Sequence, residues 1–397
     1  MAYRIAIFYA SAGDGSSTAA EALKEWFEAE YPESGVLCKD VLDYVPKWIR
    51  WSVVNAYLSM ARNYPWIWSR FYRSTDLASG RELFADFWGD IHKSIGRTYL
   101  KYMIHDIEEF APDAILATHF LGMPSLLDRW ERSCPIYFAG TDFLSHRLQR
   151  DLRYDGWFVG SAESARQHRA DKVPTAGVTV LDFGIPISRK FLSPPGREEA
   201  RKKLEVDENA VMILASGGSI GAGPLGVIAD SMLDCTDWRV DLFCGGNDAM
   251  RNSLRDKYYP FKHINVHGHP EDILDYYAAS DVTILKPGGI SCAEALSMEL
   301  PLLLFDPLPG HEQHNCDYLL ERGAALRLFE NRMAGEQIAE LLDSPDEMAK
   351  IARAAGETAR PCAAKDILAF VTGKIDESRE QQAQEADATE IDVAGAE

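Results

Sequence analysis

The stretch DVTILKPGGISCAEALSMELPLLLFD, residues 281–306, contains two short apolar runs that are separated by a glycine turn and a helical pattern. A continuous apolar run of roughly four to eight residues is typical of a strand that is buried on both faces. Two such strands joined by one helix form a βαβ unit, in which the strands are parallel. The segment therefore predicts part of a parallel sheet that is covered by helices.

The same alternation of strands and helices extends along most of the chain. The predicted strands form two series, at Arg4–Ala10, Asp113–Thr118, Pro135–Gly140, Trp157–Ser161 and Val178–Gly184, and at Val211–Ser216, Val240–Gly245, Ile264–Gly268, Asp281–Lys286 and Leu302–Asp306. Gly, Pro and Ser cluster between the series at residues 184–196, and such clusters mark connections between elements. We therefore predict an α/β protein with two doubly wound domains, residues 1–184 and 185–372.

The pattern ends near residue 373. Residues 373–397 hold eight acidic residues, two basic residues and no aromatic residue. A segment of this composition buries too little apolar surface to offset the entropy of ordering it. We therefore predict that residues 373–397 form a disordered acidic tail.

The length and charge of the chain limit its function. With 397 residues the chain exceeds the roughly 250–300 at which a single core stops growing, so two domains are expected. Its net charge of −20 argues against general binding of nucleic acid, because the phosphate backbone is repelled. The seven cysteines include no CxxC pair, which argues against a zinc cluster or a disulfide framework and favours a reducing compartment. No apolar stretch is long enough to span a membrane, so we expect a cytoplasmic protein.

Three glycine-rich turns follow predicted strands and precede helices. They are SAGDGSS at residues 11–17, SGGSIGAG at 216–223 and KPGGIS at 286–291. Glycine lets the backbone approach a ligand closely, and the helix that follows offers unpaired N–H groups to an anion. Each turn alone has an alternative interpretation as ordinary chain reversal. Together they favour ligand binding, because ligands of doubly wound sheets bind at the carboxyl ends of the strands.

These turns and several other segments resemble one known family. The segment KPGGISCAEALSMELPLLLFDPLPGHEQHNCDYLLERGAA closely resembles the nucleotide-sugar site of the MGDG synthase and processive diacylglycerol glycosyltransferase family. Further similar segments, in order along the chain, are SAGDGSSTAAEAL, PDAILATHF, GTDFLSHRLQ, DGWFVGSAES, LDFGIPISRKF, ILASGGSIGAG and FCGGND. The resemblance covers about residues 1–370 and implies a GT-B fold, in which two Rossmann-like domains face a cleft.

The resemblance also implies roles for individual residues. The residues expected near the bound nucleotide sugar are Gly13, Gly15, Gly217, Gly218, Ser219, Gly288, Gly289, Ile290, Glu294, His311, Glu312 and Asn315. Among them, Glu294 is expected to hold the ribose, His311 and Glu312 the transferred sugar, and Asn315 the loop that carries them. The implied reaction is transfer from a UDP-sugar with inversion, without a metal or other cofactor, by helix termini and N–H groups that stabilise the departing diphosphate.

The sequence departs from the family at one position that matters. The family has a histidine in the first glycine turn, as the expected general base, where this chain has Ser16. A serine hydroxyl cannot replace imidazole as a base. The candidates for the catalytic role are therefore Asp14, His119 and His146. Each has an alternative structural role, as a turn-stabilising or hydrogen-bonded residue, and Asp142 has one in an interdomain hydrogen bond.

One segment opposes the overall charge. Residues 45–73 contain five basic residues, no acidic residue and four of the nine tryptophans. Basic residues mixed with Trp and Tyr suit the headgroup region of an anionic membrane. Packing of some of these aromatic residues in the core and stacking on single-stranded nucleic acid are the alternatives. We predict that this segment contacts the membrane.

The sequence thus leads to one main hypothesis and several rivals. The main hypothesis is an inverting glycosyltransferase, peripheral to the cytoplasmic face of the membrane, that moves a hexose from a UDP-sugar to diacylglycerol or a related lipid. The rivals are transfer to a polyprenyl-linked or soluble acceptor, a non-catalytic UDP-sugar-binding protein that lacks the base, and a UDP-sugar epimerase. The sequence leaves the sugar, the lipid, the number of sugars added and the oligomeric state open.

Overall fold

The structure is a computed structural model of the chain. It describes residues 2–11, 14–52, 99–146, 150, 154–170, 179–270, 272–307 and 310–394. The first glycine turn is described only in part, because Ala12 and Gly13 lie outside these ranges. Most of the basic, tryptophan-rich segment also lies outside them, at residues 53–73.

The first half of the chain forms a six-stranded parallel sheet. Its strands are β1 (Arg4–Tyr9), β2 (Gly35–Asp40), β3 (Ala114–Ala117), β4 (Ile136–Ala139), β5 (Gly156–Phe158) and β6 (Thr179–Leu181). The strand order is β2-β1-β3-β4-β5-β6, with Ile5 paired to Val36 on one side and to Ala114 on the other. The sheet therefore reverses its direction of growth between β1 and β3.

The second half forms another six-stranded parallel sheet. Its strands are β7 (Val211–Ser216), β8 (Trp238–Phe243), β9 (Ile264–His267), β10 (Val282–Leu285), β11 (Leu302–Leu304) and β12 (Leu326–Arg327). The strand order is β12-β11-β10-β7-β8-β9, with Ile213 paired to Val240 and to Val282. The reversal in this sheet falls between β7 and β10.

Helices connect the strands of both sheets. They are α1 (Asp14–Glu30), α2 (residues 47–52), α3 (residues 99–110), α4 (Met123–Arg129), α5 (Ala162–Ala170), α6 (Arg197–Lys203), α7 (Leu225–Asp230), α8 (Asp248–Tyr258), α9 (Ile273–Ala279), α10 (Gly289–Ser297), α11 (His311–Glu321), α12 (Ala334–Leu342), α13 (Pro345–Thr358) and α14 (Ala363–Ala394). None of the helices in the described part of the chain is both long enough and apolar enough to cross a membrane.

Both faces of each sheet are covered by apolar residues. In β1, Ile5 and Ile7 belong to one buried cluster, whereas Ala6 and Phe8 belong to another on the opposite face. Successive side chains of a strand point to opposite faces, so a strand that is apolar throughout must be covered on both sides. The doubly wound α/β architecture predicted from the sequence is confirmed.

The sequence analysis missed two strands, β2 and β12, which lie at sheet edges. Strand β2 is only half-buried along most of its length, and β12 has two residues. An edge strand lacks the continuous apolar run that marks a central strand. Hydrophobic patterning therefore found the interior of both sheets better than their margins.

The structure differs from the predicted disordered tail. Helix α14 begins before residue 373 and continues beyond it, and it packs against the first sheet through Ile367, Val371 and Ile375. The Tyr3 hydroxyl donates to Asp376 Oδ2 over 2.8 Å. Extending an existing helix costs far less than starting one, so the polar residues that follow this anchored start continue the helix. The end of the chain thus returns to the first domain.

Candidate functional site

The two sheets each have a crevice at the place where the strand order reverses. In the first sheet the loops that follow β1 and β3 leave in opposite directions around this place, and in the second sheet the loops after β7 and β10 do so. Ligands of doubly wound sheets bind in such crevices, outside the carboxyl ends of the strands. All three glycine turns of the sequence lie at these crevices, after β1, β7 and β10.

The crevices of the two sheets face each other. Gly289, the first residue of α10, packs so closely against the backbone of Thr141 that a Cβ there would collide with the Thr141 carbonyl oxygen. A Cβ on Gly15 would lie 3.8 Å from Cγ1 of Ile290. The first and third glycine turns therefore approach each other across the boundary between the domains.

Asn315 joins the two domains. Its side chain is fully buried, and its Oδ1 accepts a bond of 2.9 Å from the N–H of Phe143. Its Nδ2 donates to Asp142 Oδ1 over 2.8 Å and to the carbonyl oxygen of Pro287 over 3.1 Å. The interdomain hydrogen bond considered for Asp142 is therefore present in the structure. Asn315 also holds the third glycine turn at Pro287.

A buried ion pair lies beside this amide. Lys286 Nζ is 2.7 Å from Glu312 Oε1, and the two residues are 9% and 2% exposed. His311 Nε2 lies 3.9 Å from the same carboxylate oxygen. Lys286 directly follows β10 and Glu312 lies in the first turn of α11, so the pair combines two loops at one sheet edge. The sequence analysis assigned Glu312 to this site but missed Lys286, although the lysine begins the KPGG turn.

The second glycine turn folds back on itself. Gly218 has a φ of +69°, which glycine adopts without strain, and its carbonyl oxygen accepts a bond of 3.0 Å from the N–H of Gly221. The Gly217 carbonyl oxygen accepts a bond of 3.0 Å from the N–H of Ala222. These bonds place Gly217, Gly218 and Ser219 directly beyond β7, beside the third turn.

Helix α10 starts at the crevice, within the third glycine turn. A Cβ on Gly288, the residue that caps the helix, would meet no described atom within 4 Å, so the space beside it is open. Glu294 lies in the second turn, and burial raises its pKa to about 8. Its carboxyl group is therefore largely protonated at neutral pH.

The first glycine turn is held by hydroxyl groups. Ser16 is buried, and its Oγ donates to the carbonyl oxygen of Ala10 over 2.7 Å. The Ser17 and Thr18 hydroxyls donate to the Asp14 carbonyl oxygen, and the Thr118 hydroxyl donates to that of Ser16. Ser16 thus acts as part of the turn's framework, and Asp14 supplies the carboxylate at the start of α1.

The two candidate histidines occupy different settings. His119 follows β3, and its Nδ1 accepts a bond of 3.0 Å from the N–H of Leu121. Burial lowers the pKa of His119 to about 4, so the ring is neutral and carries its proton on Nε2. In that form Nε2 is able to donate a hydrogen bond but not to accept a proton, which makes His119 a poor general base. His146 is buried in the segment after β4.

Asp40 is a further residue of the first crevice that the sequence analysis missed. It ends β2 and is buried, and its Oδ1 accepts from the N–H of Leu42 over 2.9 Å and of Ser11 over 3.2 Å. Its Oδ2 accepts from Arg50 over 3.1 Å. The signal was a carboxylate at the carboxyl end of a strand, but β2 itself was not predicted.

The described start of the basic, tryptophan-rich segment exposes its aromatic residues. In α2, Trp48 and Trp51 are 70% and 68% exposed, whereas Ile49 between them is buried. The rest of the segment for which membrane contact is predicted, residues 53–73, lies outside the described ranges. The described part therefore presents two large aromatic side chains at the surface.

Comparisons with known proteins agree with the resemblance seen in the sequence. A family model described as monogalactosyldiacylglycerol (MGDG) synthase matches residues 16–187. A processive diacylglycerol beta-glucosyltransferase from Bacillus cytotoxicus is 27% identical over 308 residues, which cover 73% of this chain and 77% of the relative. The predicted likeness to this family is confirmed.

Solved structures agree on the fold. MurG from Acinetobacter baumannii has a TM-score of 0.53 and 14% identity, with 94% of this chain and 99% of that chain covered. The UDP-GlcNAc 2-epimerase from Neisseria meningitidis, solved with UDP-GlcNAc bound, has a TM-score of 0.60 and 13% identity, with 93% and 100% covered. The GT-B architecture, with two Rossmann-like domains that face a cleft, is confirmed.

Proposed function

We propose that this protein is an inverting glycosyltransferase that moves a hexose from a UDP-sugar to the hydroxyl of diacylglycerol or a related membrane lipid. The observation that carries the proposal is the meeting of the two crevices. In a chain that is similar to a diacylglycerol glucosyltransferase, the KPGG turn and α11 are held against the first domain through Asn315. Such an arrangement suits two substrates that react across the cleft.

The second domain supplies the site for the UDP-sugar. The open space beside Gly288 leads to the N–H groups that start α10, and helix starts favour anions. Glu294 lies one turn further along the helix, where its carboxyl group suits the ribose hydroxyls. His311 and Glu312, at the start of α11, suit the hydroxyls of the transferred sugar. The proposed site thus binds the nucleotide with α10 and the transferred sugar with the start of α11.

The first domain supplies the base. In the proposed reaction the lipid hydroxyl oxygen attacks the anomeric carbon, and its proton passes to the Asp14 carboxylate. The bond from the anomeric carbon to the diphosphate oxygen breaks, and its electron pair leaves with UDP. Asp14 is favoured because it begins α1 in the turn that approaches Ile290, whereas His119 carries its proton on Nε2. His146 remains the alternative base.

Contact with the membrane is the third part of the proposal. Trp48 and Trp51 are exposed on α2, next to Lys47, and tryptophan is favoured at the level of lipid headgroups. The first domain also contains the proposed base. We propose that residues 45–73 bind the cytoplasmic face of an anionic membrane, so that the lipid hydroxyl can enter the cleft from that side.

The test is a reaction of the full chain with liposomes that contain diacylglycerol and an anionic lipid, with a panel of UDP-sugars. Mass spectrometry of the lipid phase should find a new hexosyl lipid with at least one sugar donor. Parallel reactions with a polyprenyl diphosphate sugar and without any acceptor distinguish the rival functions. Binding of UDP without turnover on any acceptor, or isomerisation of the sugar without lipid, would overturn the proposal.

A further inference from the structure

The buried pair of Lys286 and Glu312 is unusual for a polar edge of a sheet. Both residues are almost completely buried, and their charged atoms are 2.7 Å apart. Removing two charges from water costs free energy that their mutual attraction only partly returns. A buried ion pair is therefore weak evidence that the two residues stabilise the fold. Their position in the molecule indicates another role.

That position is directly below the second glycine turn. A Cβ on Gly218 would lie 3.3 Å from Cε of Lys286 and 3.8 Å from its Nζ. The lysine stem thus passes under Gly218, and its ammonium group lies between this turn and the start of α11. A larger residue at position 218 would press on the lysine. The two turns and the ammonium group form one surface at the carboxyl ends of β7 and β10.

We propose that Lys286 binds the diphosphate of the nucleotide donor and that Glu312 holds the ammonium group in place for it. The inference rests on the proposed function and adds to it the residue that supplies positive charge. An ammonium group has three N–H donors, and the bond to Glu312 occupies one of them. A diphosphate laid across Gly218 comes within reach of the ammonium group.

The role follows from the charge that develops in the reaction. When the bond to the anomeric carbon breaks, its electron pair goes to the diphosphate oxygen, so negative charge grows on the leaving group. A fixed positive charge in a partly dehydrated site stabilises that change more strongly than one in water. The chain as a whole has a net charge of −20 and repels the same anion. Lys286 provides a positive charge beside the departing diphosphate.

The experiment measures binding of UDP and of uridine to the full chain by calorimetry. Lys286→Met should weaken UDP binding by about 10- to 100-fold, which corresponds to a lost charged hydrogen bond, and should leave uridine binding within about twofold. Lys257→Met is the matched control, because Lys257 pairs with Asp230 at the surface of the same domain. That variant should bind both ligands as the unaltered protein does.

A second variant keeps the test valid if the single one is unstable. Lys286→Met leaves Glu312 buried without its cation, so Lys286→Met combined with Glu312→Gln removes both charges and is compared with Glu312→Gln alone. The double variant should lose the preference for UDP over uridine, whereas Glu312→Gln should largely keep it. Equal UDP affinity in the unaltered protein and the double variant would overturn the inference while leaving the proposed function intact. If the unaltered protein binds neither UDP nor uridine, both are overturned.

Discussion

The turn after β1 and the turn after β10 each lie beside the reversal of strand order in their own sheet, but they are built from different chemistry. In the first, the hydroxyls of Ser16, Ser17 and Thr18 donate to backbone carbonyls of the same turn or strand. In the turn after β10, Lys286 forms a buried ion pair, and the turn is held by the side-chain amide of Asn315. One turn uses short side chains for its own shape, and the other uses long ones that reach other loops.

The difference agrees with the division of tasks that we propose for the two halves of the cleft. The hydroxyl-bonded turn contributes a single ionisable side chain, Asp14, which suits a proton acceptor at a fixed point. The charged turn combines a cation, an anion and an open helix start, which suits a ligand that carries both hydroxyls and phosphates. Ser16, where the resembled family has a histidine, belongs to the turn after β1, and its hydroxyl bonds to Ala10 within that turn.

The largest effect should come from removing the Asp14 carboxylate. Asp14→Asn should lower kcat by about 10²- to 10⁴-fold, the usual contribution of a general base, with UDP affinity unchanged. Steady-state kinetics and calorimetry measure the two quantities. Ser16→Ala is the control from the same turn, and it should lose only the bond to Ala10 and retain most of its activity. If both variants lose activity equally, the turn after β1 has only a structural role and Asp14 is not the base. The contrast with the turn after β10 would then be wrong.

The next effect concerns the amide that joins the two regions. Asn315→Leu leaves the Asp142 carboxylate and the Phe143 N–H buried without their partner, which should lower the free energy of unfolding by about 2–4 kcal/mol. Thermal and urea denaturation measure the change. Asn331→Leu is the control, since the Asn331 amide bonds to Asp306 in an exposed setting. A similar small loss in both variants would mean that the domains do not depend on Asn315.

A smaller effect is expected for Glu294 in the charged half. Glu294→Ala should weaken UDP binding by about 10- to 100-fold, because the ribose hydroxyls lose a charged or strongly polar partner. Asp14→Asn, in contrast, should bind UDP normally, so the two variants separate the halves of the cleft. Glu336→Ala, at an exposed position in the first turn of α12, is the matched control. Unchanged UDP affinity in Glu294→Ala would place the ribose elsewhere.

The same carboxyl group should make binding depend on pH. Burial raises the pKa of Glu294 to about 8. If the carboxylate is the form that accepts both ribose hydroxyls, UDP affinity should rise about fivefold from pH 7 to pH 8 and about another twofold above pH 8 before it levels off. A terminal phosphate group has a second pKa near 6, so that of UDP titrates mostly below this range. Glu294→Gln should bind UDP independently of pH, and a pH dependence that persists in this variant would assign the titration to another group.

The smallest effect is expected at the exposed surface of α2. Trp48→Ser combined with Trp51→Ser should reduce partition onto anionic liposomes by a few fold at constant stability, since both side chains are exposed. Cosedimentation with liposomes measures the partition. Tyr259→Ser, at a residue that is 87% exposed on the second domain, should have no effect. An equal loss for Tyr259→Ser would mean that the contrast between the halves does not extend to the membrane.

Much of this arrangement was predictable from the sequence, but not all of it. The continuous apolar strands and the glycine turns gave the two sheets and the loops at their carboxyl ends, because these patterns are local. Lys286 was missed because its partner Glu312 lies on a later loop, and sequence spacing does not show that the two side chains meet. Asp40 was missed together with β2, whose half-buried edge lacks the apolar run of a central strand. The direction of the Ser16 hydroxyl, toward Ala10, likewise depends on the folded backbone.

The return of α14 to the first sheet has a consequence for how the chain is made. Tyr3 and Asp376 are 373 positions apart, and the face of the sheet that contains Ile5 and Ile7 is covered in part by Ile367 and Val371. A ribosome releases the chain from its amino end, at about 5–20 residues per second. Part of this apolar face therefore stays exposed until α14 has been released, although α1 already covers the rest through Leu23 and Phe27. Shortening the chain before residue 363 should give a protein that aggregates, even though both sheets would be encoded in full.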